Sequence, residues 1–456
     1  MVIGEENPKK NKKRGKKMSY LAIDIGASSG RHMLGKTVNG KVELKEIYRF
    51  KNGPKMKNGH LCWDGEQLFS DIIAGMKKCG EMGEIPESVA IDCFGVDFVL
   101  LDENDKLIGD TVSYRDGRTE NIRGEVFNII SEKELFKLTG IASQPFNTIY
   151  QLYALKKESP EYFEKAKTYL MLPEYFNFRL TGVKMNEFTN ASTTQLVSAK
   201  TREYDKEIIE KLGLPFGIFG KLHMPSTVVG ELLPEIREQV GYNCKVVLAA
   251  SHDTGSAVMT VPNEEGAIYI SSGTWSLMGV LLKNPNCTDE AEKAGFTNEG
   301  AYNGDVRFLK NITGFWIVQQ LREQIPIAEG FGEMCTMAEK SGYDTPLDVN
   351  SELLFSPENM EQAVLRQLEI QGAPKPKNVA QLLASVYHGM AKSYHDTVIE
   401  LEKITKKTYD TIYIIGGGSQ NTLVNRLTEE YTGKKVVAGE IEATAIGNIM
   451  AQEAVK

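Results

Sequence analysis

A histidine and an aspartate stand side by side in the segment "SHDTGSAV" (251–258), which follows the apolar run "KVVLAA". A carboxylate such as Asp253 can accept the proton of a reacting hydroxyl group, and His252 and Thr254 can orient that hydroxyl by hydrogen bonds. The structural alternative is a helix cap, in which Ser251 or Asp253 accepts amide hydrogen bonds at the start of a helix. Spacing alone leaves both interpretations open.

Three turns of small residues end apolar, strand-like runs elsewhere in the chain: "DIGASSG" (24–30), "SSGTWS" (271–276) and "IIGGGSQN" (414–421). Glycine and serine let backbone N–H groups and hydroxyls approach phosphate oxygens without side-chain bulk. The third turn also offers bare backbone to a flat ring, near the start of a helix. Each turn alone is compatible with an ordinary tight turn, and together the three indicate a polyphosphate site.

The carboxylate of Asp24 opens the first of these turns. It would repel a polyphosphate unless a divalent cation lay between them, so its position implies magnesium. The alternative is that Asp24 caps a nearby turn. If a polyphosphate is held here, the chemistry is transfer of a phosphoryl group, and Asp253 is the candidate base for the acceptor hydroxyl.

The elements that position these residues follow a repeated pattern. From Tyr20 the sequence predicts three strands, a helix over 64–80 and a buried strand, an order typical of a mixed sheet with helices packed on it. A helical middle over 119–182 follows, with an N-cap at Ser159, and we interpret it as a lid or insertion. After Pro262 the strand–turn–strand pattern returns, so two similar halves are predicted, with a boundary near 256–262.

Composition places limits on function. The chain has 456 residues, of which 41% are hydrophobic and 25% charged, with a formal net charge of −8. This balance provides no basic field for nucleic acid, and no apolar run approaches the ~18 residues of a membrane span, so we expect a cytoplasmic protein without either partner. Residues 1–18 are predicted to form a disordered basic leader. The six widely spaced cysteines are predicted to be free thiols.

The motifs together resemble the FGGY family of carbohydrate kinases, from about Leu21 to Gln452. The resemblance rests on "DIGASSGR", "FGVDFVLLD", "SYRDGRT", "PFNTIYQL", "SHDTGSAV", "ISSGTWSLMG", "NITGFW" and "GGGSQNTL". It implies an α/β fold of two actin-like ATPase (ribonuclease H-like) domains, each a mixed five-stranded sheet flanked by helices, with the active site in the interdomain cleft. Residues 19–258 would form the sugar-binding domain that carries the insertion, and residues 259–456 the nucleotide-binding domain.

The resemblance also implies roles for individual residues. ATP contacts fall on Ala27, Ser28, Ser29, Gly30, Arg31, Thr274, Gln319, Gly416 and Gly417, with magnesium at Asp24. Sugar contacts fall on Gly95, His252, Asp253, Thr254 and Asn311, with Asp253 as the catalytic proton acceptor. Further wall positions are Asp97, Tyr114, Asp116 and Arg118. For Asp97 the alternative is a salt bridge to a neighbour such as Arg115.

The implied reaction moves the γ-phosphoryl group of ATP to the 1-hydroxyl of a ketose. Tyr114, where many members carry tryptophan, and "TIYQLYAL", where many carry a Lys-x-x-Trp pattern, favour L-rhamnulose as that ketose. Two alternatives stay open: another ketose such as L-fuculose, or a non-catalytic actin-like nucleotide switch. We expect small-molecule substrates only and a monomer or homodimer.

Overall fold

Two six-stranded mixed sheets form the framework of the chain in the computed structural model. The structure describes residues 18–262, 266–325, 330–355 and 357–455. The predicted basic leader therefore lies outside the described residues, apart from Met18. Within the described ranges, no helix combines the length and the apolar character that crossing a bilayer requires.

The first half of the chain holds the first sheet and a largely helical insertion. Its elements are, in order, β1 (Tyr20–Ile25), β2 (Ser29–Val38), β3 (Lys41–Lys51), β4 (Lys55–Lys57), β5 (His60–Cys62), α1 (Gly65–Glu81), β6 (Ser88–Cys93), β7 (Phe98–Leu101), α2 (Ile122–Phe127), α3 (Glu132–Thr139), α4 (Thr148–Glu158), α5 (Glu161–Lys165), β8 (Thr168–Met171), α6 (Leu172–Thr181), β9 (Asn186–Glu187), α7 (Phe188–Ala191), α8 (Lys206–Lys211), β10 (Leu222–His223), β11 (Val228–Glu231), α9 (Pro234–Val240), β12 (Lys245–Val247) and α10 (Asp253–Val258).

The second half holds the second sheet. Its elements are, in order, β13 (Ala267–Ser272), β14 (Trp275–Leu282), α11 (Asp289–Lys293), β15 (Thr297–Gly300), β16 (Val306–Thr313), α12 (Trp316–Gln324), α13 (Phe331–Lys340), α14 (Met360–Ile370), α15 (Val379–Thr405), β17 (Thr411–Ile415), α16 (Thr422–Thr432), β18 (Lys435–Ala438) and α17 (Ala443–Glu453).

The central strand β1 shows why this part of the sequence is continuously apolar. Helices cover both faces of the sheet, so residues of both parities are buried. Leu21 and Ile23 pack in the cluster that contains Ile72 of α1. Tyr20 and Ala22 point the other way and share a cluster with residues of α17, the last helix of the chain.

The two sheets repeat one plan, as the sequence predicts. The first has the order β11-β12-β6-β1-β2-β3 and the second β15-β16-β14-β13-β17-β18. β1 is antiparallel to β2 and parallel to β6, and β13 is likewise antiparallel to β14 and parallel to β17. Each sheet has six strands rather than the expected five. The short edge strands β11 and β15 have the sequences "VVGE" and "TNEG", without the apolar alternation that marks a strand.

The helical predictions are confirmed with local corrections. The helix expected over 64–80 is α1, which Asp64 caps by accepting a hydrogen bond from the backbone N–H of Gln67. The predicted helical middle contains one strand, β8, which pairs with β7, because a short apolar run such as "TYLM" fits either structure. The predicted cap Ser159 ends α4, and Pro160 caps α5 instead. All six cysteines are free, as predicted.

Helices α10 and α17 cross where the two halves meet. A Cβ atom on Gly447 would lie 1.8 Å from the carbonyl oxygen of Ser256, so the two backbones touch. Ala257 and Val258 of α10 pack in one cluster with residues of β13, β16 and β17. Helix α10, which begins at Asp253, therefore joins the two sheets.

We expect the substitution Gly447→Ala to lower the midpoint of thermal unfolding, because the added methyl group forces two backbones apart at a cost of about 1–3 kcal/mol. The matched control is Gly124→Ala in α2, where a Cβ atom would meet nothing within 4 Å. In the control, alanine should leave stability unchanged or raise it by up to about 1 kcal/mol. Equal midpoints for the two variants would contradict the close crossing.

Candidate active site

The candidate site lies where parallel strands of the first sheet end. β1, β6 and β12 run parallel, so their carboxyl ends meet at one edge, a common place for ligands in α/β proteins. The chain after β12 continues beside β6, since the N–H of Cys93 donates to the carbonyl of Ser251 over 2.9 Å and Cys93 bridges to His252. Asp253 then starts α10 at this edge.

The carboxylate of Asp253 stands at the first residue of α10 and remains accessible; His252 is the N-cap of this helix, and no side chain caps it. Its Oδ1 accepts hydrogen bonds from the backbone N–H (2.5 Å) and the hydroxyl (3.1 Å) of Thr254, while 35% of the side chain is exposed. Burial is the main cause of the raised pKa values of Cys93 and Asp24, and the charge of Asp253 raises both further. The carboxylate therefore faces the space near the ends of β1 and β6, where it can take up a proton.

His252 is oriented by residues of the second sheet. Arg307 Nη2 lies 3.0 Å from His252 Nδ1, and both contact Glu299, whose Oε2 is 3.0 Å from Arg307 Nη2 and 3.2 Å from His252 Nδ1. Arg307 can only donate and an ionised Glu299 can only accept, so Nδ1 has a partner whether or not it carries a proton, and the pair holds the ring in place. Nε2 lies 3.5 Å from Asp253 Oδ1. Nε2 is therefore the ring nitrogen that a hydroxyl held beside Asp253 can reach.

Asn311 is the other sugar contact expected from the second half of the chain. On β16 alternate residues share a face, so Asn311 lies on the same side as Arg307 and Leu309. Arg307 meets His252 on that face, and Leu309 packs in the cluster that contains residues of α10. The half-buried Asn311 therefore belongs to the strand face that is turned toward α10.

The segment Gly95–Asp97 forms a strained turn beside His252. A Cβ atom on Gly95 would lie 3.1 Å from Thr193 Oγ1 and 3.5 Å from His252 Cδ2. Val96 has φ +69°, a left-handed conformation that costs a β-branched residue about 1–2 kcal/mol. The hydroxyl of Thr148 holds this conformation by donating to the Val96 carbonyl over 2.6 Å. Such local strain is common at functional sites.

Asp97 lies in a hydrogen-bonded wall rather than in a salt bridge. It accepts from Trp63 Nε1 at 2.6 Å, from Gln151 Nε2 at 3.1 Å and from the N–H of Tyr114 at 3.2 Å. Burial, opposed by these hydrogen bonds, raises the pKa of Asp97 to about 6. The alternative partner Arg115 lies instead over the Tyr114 ring. The sequence interpretation missed Trp63 and Gln151, although Gln151 belongs to the quoted motif "PFNTIYQL".

The two remaining wall candidates play different parts. Asp116 is engaged by backbone, accepting hydrogen bonds from the N–H groups of Leu61 (2.7 Å) and Arg118 (2.9 Å). Arg118 donates from Nη2 to Gln151 Oε1 over 3.0 Å, while its buried Nε has no partner within the described part of the chain. Asp116 thus supports the wall, and Arg118 retains a free donor.

The candidate nucleotide residues of the second half converge at the turn between β13 and β14. Thr274 Oγ1 lies 3.4 Å from Gln319 Oε1. The carbonyl of Gly273 accepts the N–H of Phe315 over 3.0 Å, which fixes the start of α12 against the turn. A Cβ atom on Gly416 would lie 2.9 Å from the carbonyl oxygen of Ser272, so glycine is required there. These contacts bring three separate motifs onto one surface.

Gly417 is the open part of this surface. A Cβ atom at this position would meet nothing within 4 Å, so its backbone can be approached. It opens the short helical turn Gly417–Gln420, directly after β17. The backbone here is bare, as the sequence predicts, and its contact with a flat ring stays a prediction.

Hydrogen bonds from one residue after β3 hold the turn at the end of β1. Asn52, which the sequence interpretation missed, donates from its side chain to the carbonyl of Gly26 over 2.8 Å and from its backbone to that of Ser28 over 3.0 Å. Ser28 is exposed and Ala27 and Ser29 are half-buried. Gly30 has a packing reason, since a Cβ atom there would lie 2.0 Å from the ring of Phe50.

Arg31 is engaged by carboxylates in this structure. It lies 2.8 Å from Asp24 and 3.1 Å from Glu442, which immediately precedes α17. Arg31 thus already links the first turn to the second half of the chain. Its contact with a nucleotide stays a prediction.

Asp24 lies beside a second carboxylate that the sequence interpretation missed. Asp92 is its register partner on β6, and burial, reinforced by the charge of Asp24, raises the pKa of Asp92 well above its ordinary range. Oδ1 of Asp92 has no hydrogen-bond partner among the described residues. The described ranges contain no group of three or more side chains that could hold a metal alone. The carboxylates suit a cation whose other ligands come from a nucleotide.

Family models match both halves of the chain. The N-terminal domain of the FGGY family of carbohydrate kinases matches residues 19–260, and its C-terminal domain matches residues 268–454. Among solved structures, a xylulose kinase from Lactobacillus acidophilus aligns with a TM-score of 0.80 at 17% identity, over 96% of this chain and 89% of that one. A Plasmodium falciparum glycerol kinase with ADP aligns with a TM-score of 0.76 at 14% identity, over 95% and 89%. These structures establish the fold.

Curated relatives cover nearly the same length. A protein named rhamnulokinase from Halalkalibacterium halodurans is 47% identical over 436 residues, which are 95% of this chain and 93% of the relative. A rhamnulokinase from Bacillus subtilis is 39% identical over 438 residues, 95% and 90% of the two chains. The resemblance read from the motifs is confirmed, and the chain belongs to the FGGY family of carbohydrate kinases.

Proposed function

We propose that this carbohydrate kinase transfers the γ-phosphoryl group of ATP to the 1-hydroxyl of L-rhamnulose, giving L-rhamnulose 1-phosphate and ADP. The observation that carries the choice of ketose is the 47% identity to a rhamnulokinase over 95% of the chain. Because ATP is the phosphoryl donor, we also propose a cytoplasmic location.

The proposed reaction is a direct in-line displacement. The O1 atom of the ketose forms a bond to the γ-phosphorus, the bond from that phosphorus to the bridging oxygen of ADP breaks, and the proton of O1 passes to the accessible carboxylate of Asp253. His252 donates from Nε2 and orients the ketose. In such reactions positioning and charge stabilisation supply most of the acceleration.

The nucleotide would be held by groups from both halves of the chain. Backbone N–H groups and hydroxyls of residues 27–30 and 271–274 face the phosphates, Gln319 lies beside Thr274, and the ring lies against Gly416 and Gly417. Magnesium would neutralise charge on the phosphates, and Asp24 would hold it through water. The burial of Asp24, which raises its pKa against the opposing effect of Arg31, supports this proposal, because a bound cation compensates the charge of a buried carboxylate.

The wall around Asp97 would contact the rest of the ketose. Gln151 and Arg118 offer polar groups there, and the rings of Trp63 and Phe94 lie 4.7 Å apart beside them. A polar wall next to aromatic surface suits a sugar that carries both hydroxyl groups and the methyl group of a 6-deoxyketose. We propose that this combination selects L-rhamnulose.

We expect Asp253→Asn to lower kcat roughly 100-fold or more, because the amide cannot take up the proton of the attacking hydroxyl. Binding of a non-hydrolysable ATP analogue should be retained, since Asp253 is not a nucleotide contact. A coupled ADP assay and calorimetric titration measure the two quantities. Asp344→Asn, at an exposed carboxylate, is the matched control. A near-normal rate for Asp253→Asn would remove this residue from the mechanism.

A panel of ketoses tests the substrate. With ATP and magnesium, we expect the highest kcat/KM for L-rhamnulose, a lower value for its epimer L-fuculose, and lower values again for ketoses without the C6 methyl group, since one methyl group contributes roughly 10- to 200-fold. Preference for L-fuculose would overturn the choice of ketose. Absence of ADP release with every ketose would favour the non-catalytic nucleotide switch.

A further inference from the structure

Two buried glutamates lie directly beneath the segment that carries His252 and Asp253. Glu174 of α6 and Glu187 of β9 are both 0% exposed. The hydroxyl oxygen of Ser251 lies 2.5 Å from Glu174 Oε1 and 2.9 Å from Glu187 Oε2. Neither glutamate has a part in the phosphoryl transfer described above.

A count of protons shows that one of the two carboxyl groups is neutral. The Ser251 hydroxyl has one hydrogen and can donate it to one carboxylate only. If both glutamates were ionised, the other short contact would press two oxygen lone pairs together without a proton between them. Two carboxylates this close in a buried site do not both ionise.

The surroundings place the extra proton on Glu174. Burial raises the pKa of Glu187 as well, but Glu187 accepts backbone N–H groups from Thr189 (2.6 Å), Asn190 (3.0 Å) and Ser251 (3.1 Å), and these donors oppose that rise and favour its ionised form. Oε2 of Glu174 has no partner within the described ranges. Burial, and then the charge of Glu187, raises the pKa of Glu174 to about 8.

The other titratable groups around Glu174 stay neutral. They are Tyr169 of β8 and Tyr204, just before α8. Burial raises the pKa values of both far above the ordinary tyrosine value, and a charge on Glu174 would raise them further. Glu187 is therefore the charged group that faces Glu174.

We propose that Glu174, Ser251 and Glu187 form a proton-sharing brace that positions Asp253 for phosphoryl transfer. Protonated Glu174 donates to Ser251 Oγ, and the Ser251 hydroxyl donates to ionised Glu187. The three are positioning residues that act through the backbone. This inference rests on the proposed function, in which Asp253 accepts the proton of the ketose.

The brace holds the backbone at Ser251 and at His252. Glu187 accepts the N–H of Ser251, and Thr189 Oγ1, which itself donates to Glu187 over 2.6 Å, lies 3.4 Å from the N–H of His252. Asp253 follows directly. A displacement of about 1 Å at a reacting group can cost about 100-fold in rate, so rigid support here matters.

The brace has a defined pH dependence. The folded pKa of Glu174, about 8, lies above its unfolded value of about 4.3, so the folded state holds a proton that the unfolded state releases. The stabilisation is complete below the unfolded value and is lost as pH rises through about 8. Deprotonation would bring two charges against Ser251 and loosen the support of Asp253.

Two isosteric variants separate the roles of the glutamates. In Glu174→Gln the amide can still donate to Ser251 Oγ, so we expect kcat within about threefold of wild type. In Glu187→Gln the amide cannot accept all the donors that converge on it, so kcat should fall roughly 10- to 100-fold with the affinity for an ATP analogue unchanged. Glu164→Gln, at an exposed site, is the control. Equal kcat values for Glu187→Gln and the control would overturn the brace.

A second measurement needs no substrate. Unfolding of wild type releases the Glu174 proton between pH 5 and pH 8, so the stability of wild type falls with pH in this range, whereas glutamine has no proton to release. We therefore expect the thermal midpoint of Glu174→Gln relative to wild type to rise between pH 5 and pH 8 and to level off above that. The wild-type kcat should fall near pH 8, and that fall should be absent from Glu174→Gln. A midpoint difference that is flat with pH would overturn the proton sharing. If wild type phosphorylates no ketose, the proposed function fails instead, and the stability measurement still tests the proton.

Discussion

The contact between the backbones of α10 and α17 is the constraint on which the site depends. Gly447 has no Cβ, and the carbonyl of Ser256 occupies the space that one would need. Because α10 begins at Asp253 and α17 follows Glu442, this crossing sets the distance between the candidate base and the carboxylate that binds Arg31. A single close contact thus relates the segment of Asp253 to the glycine- and serine-rich turn after β1.

The buried pair of Glu299 and Arg307 adds orientation rather than stability. Arg307 is 0% exposed, and taking two charges out of water offsets most of what their attraction contributes. Its specific effect is on His252, because both members of the pair contact Nδ1 and the ring is thereby held with Nε2 3.5 Å from Asp253 Oδ1. Since Arg307 belongs to the second sheet, the imidazole keeps this orientation only while the two halves stay in register.

Much of the fold could be predicted because its signals are local. The apolar strand β1, the helix start at Asp64 and the turns of small residues depend on neighbours in sequence. The resemblance to a known family then supplied the candidate positions in those turns. The edge strands could not be predicted in this way. A four-residue strand such as "TNEG" carries no periodic signal, and it forms because β16 offers a free edge for pairing.

The rest of the site could not be predicted because it is made of contacts between distant segments. Nothing local marks Trp63 as a partner of Asp97, or Glu187 as a support for Ser251. Gly30 stands in a turn whose sequence suggests phosphate binding, but the structure also requires glycine there for packing. Its partner is the ring of Phe50, 20 positions further along the chain. Val96 carries no signal at all, because a left-handed valine is set by tertiary contacts such as the hydroxyl of Thr148.

Several features of the site lower the stability of the folded protein. Burial raises the pKa values of Asp24 and Asp92, Val96 is strained, and Glu174 is buried with a proton that it would release in water. Each lowers the free energy of unfolding, and the apolar clusters on both sheets offset that cost. Carboxylates held in excess of nearby cations favour the binding of positive charge. In the proposed function, a nucleotide that arrives with its cation would relieve this imbalance.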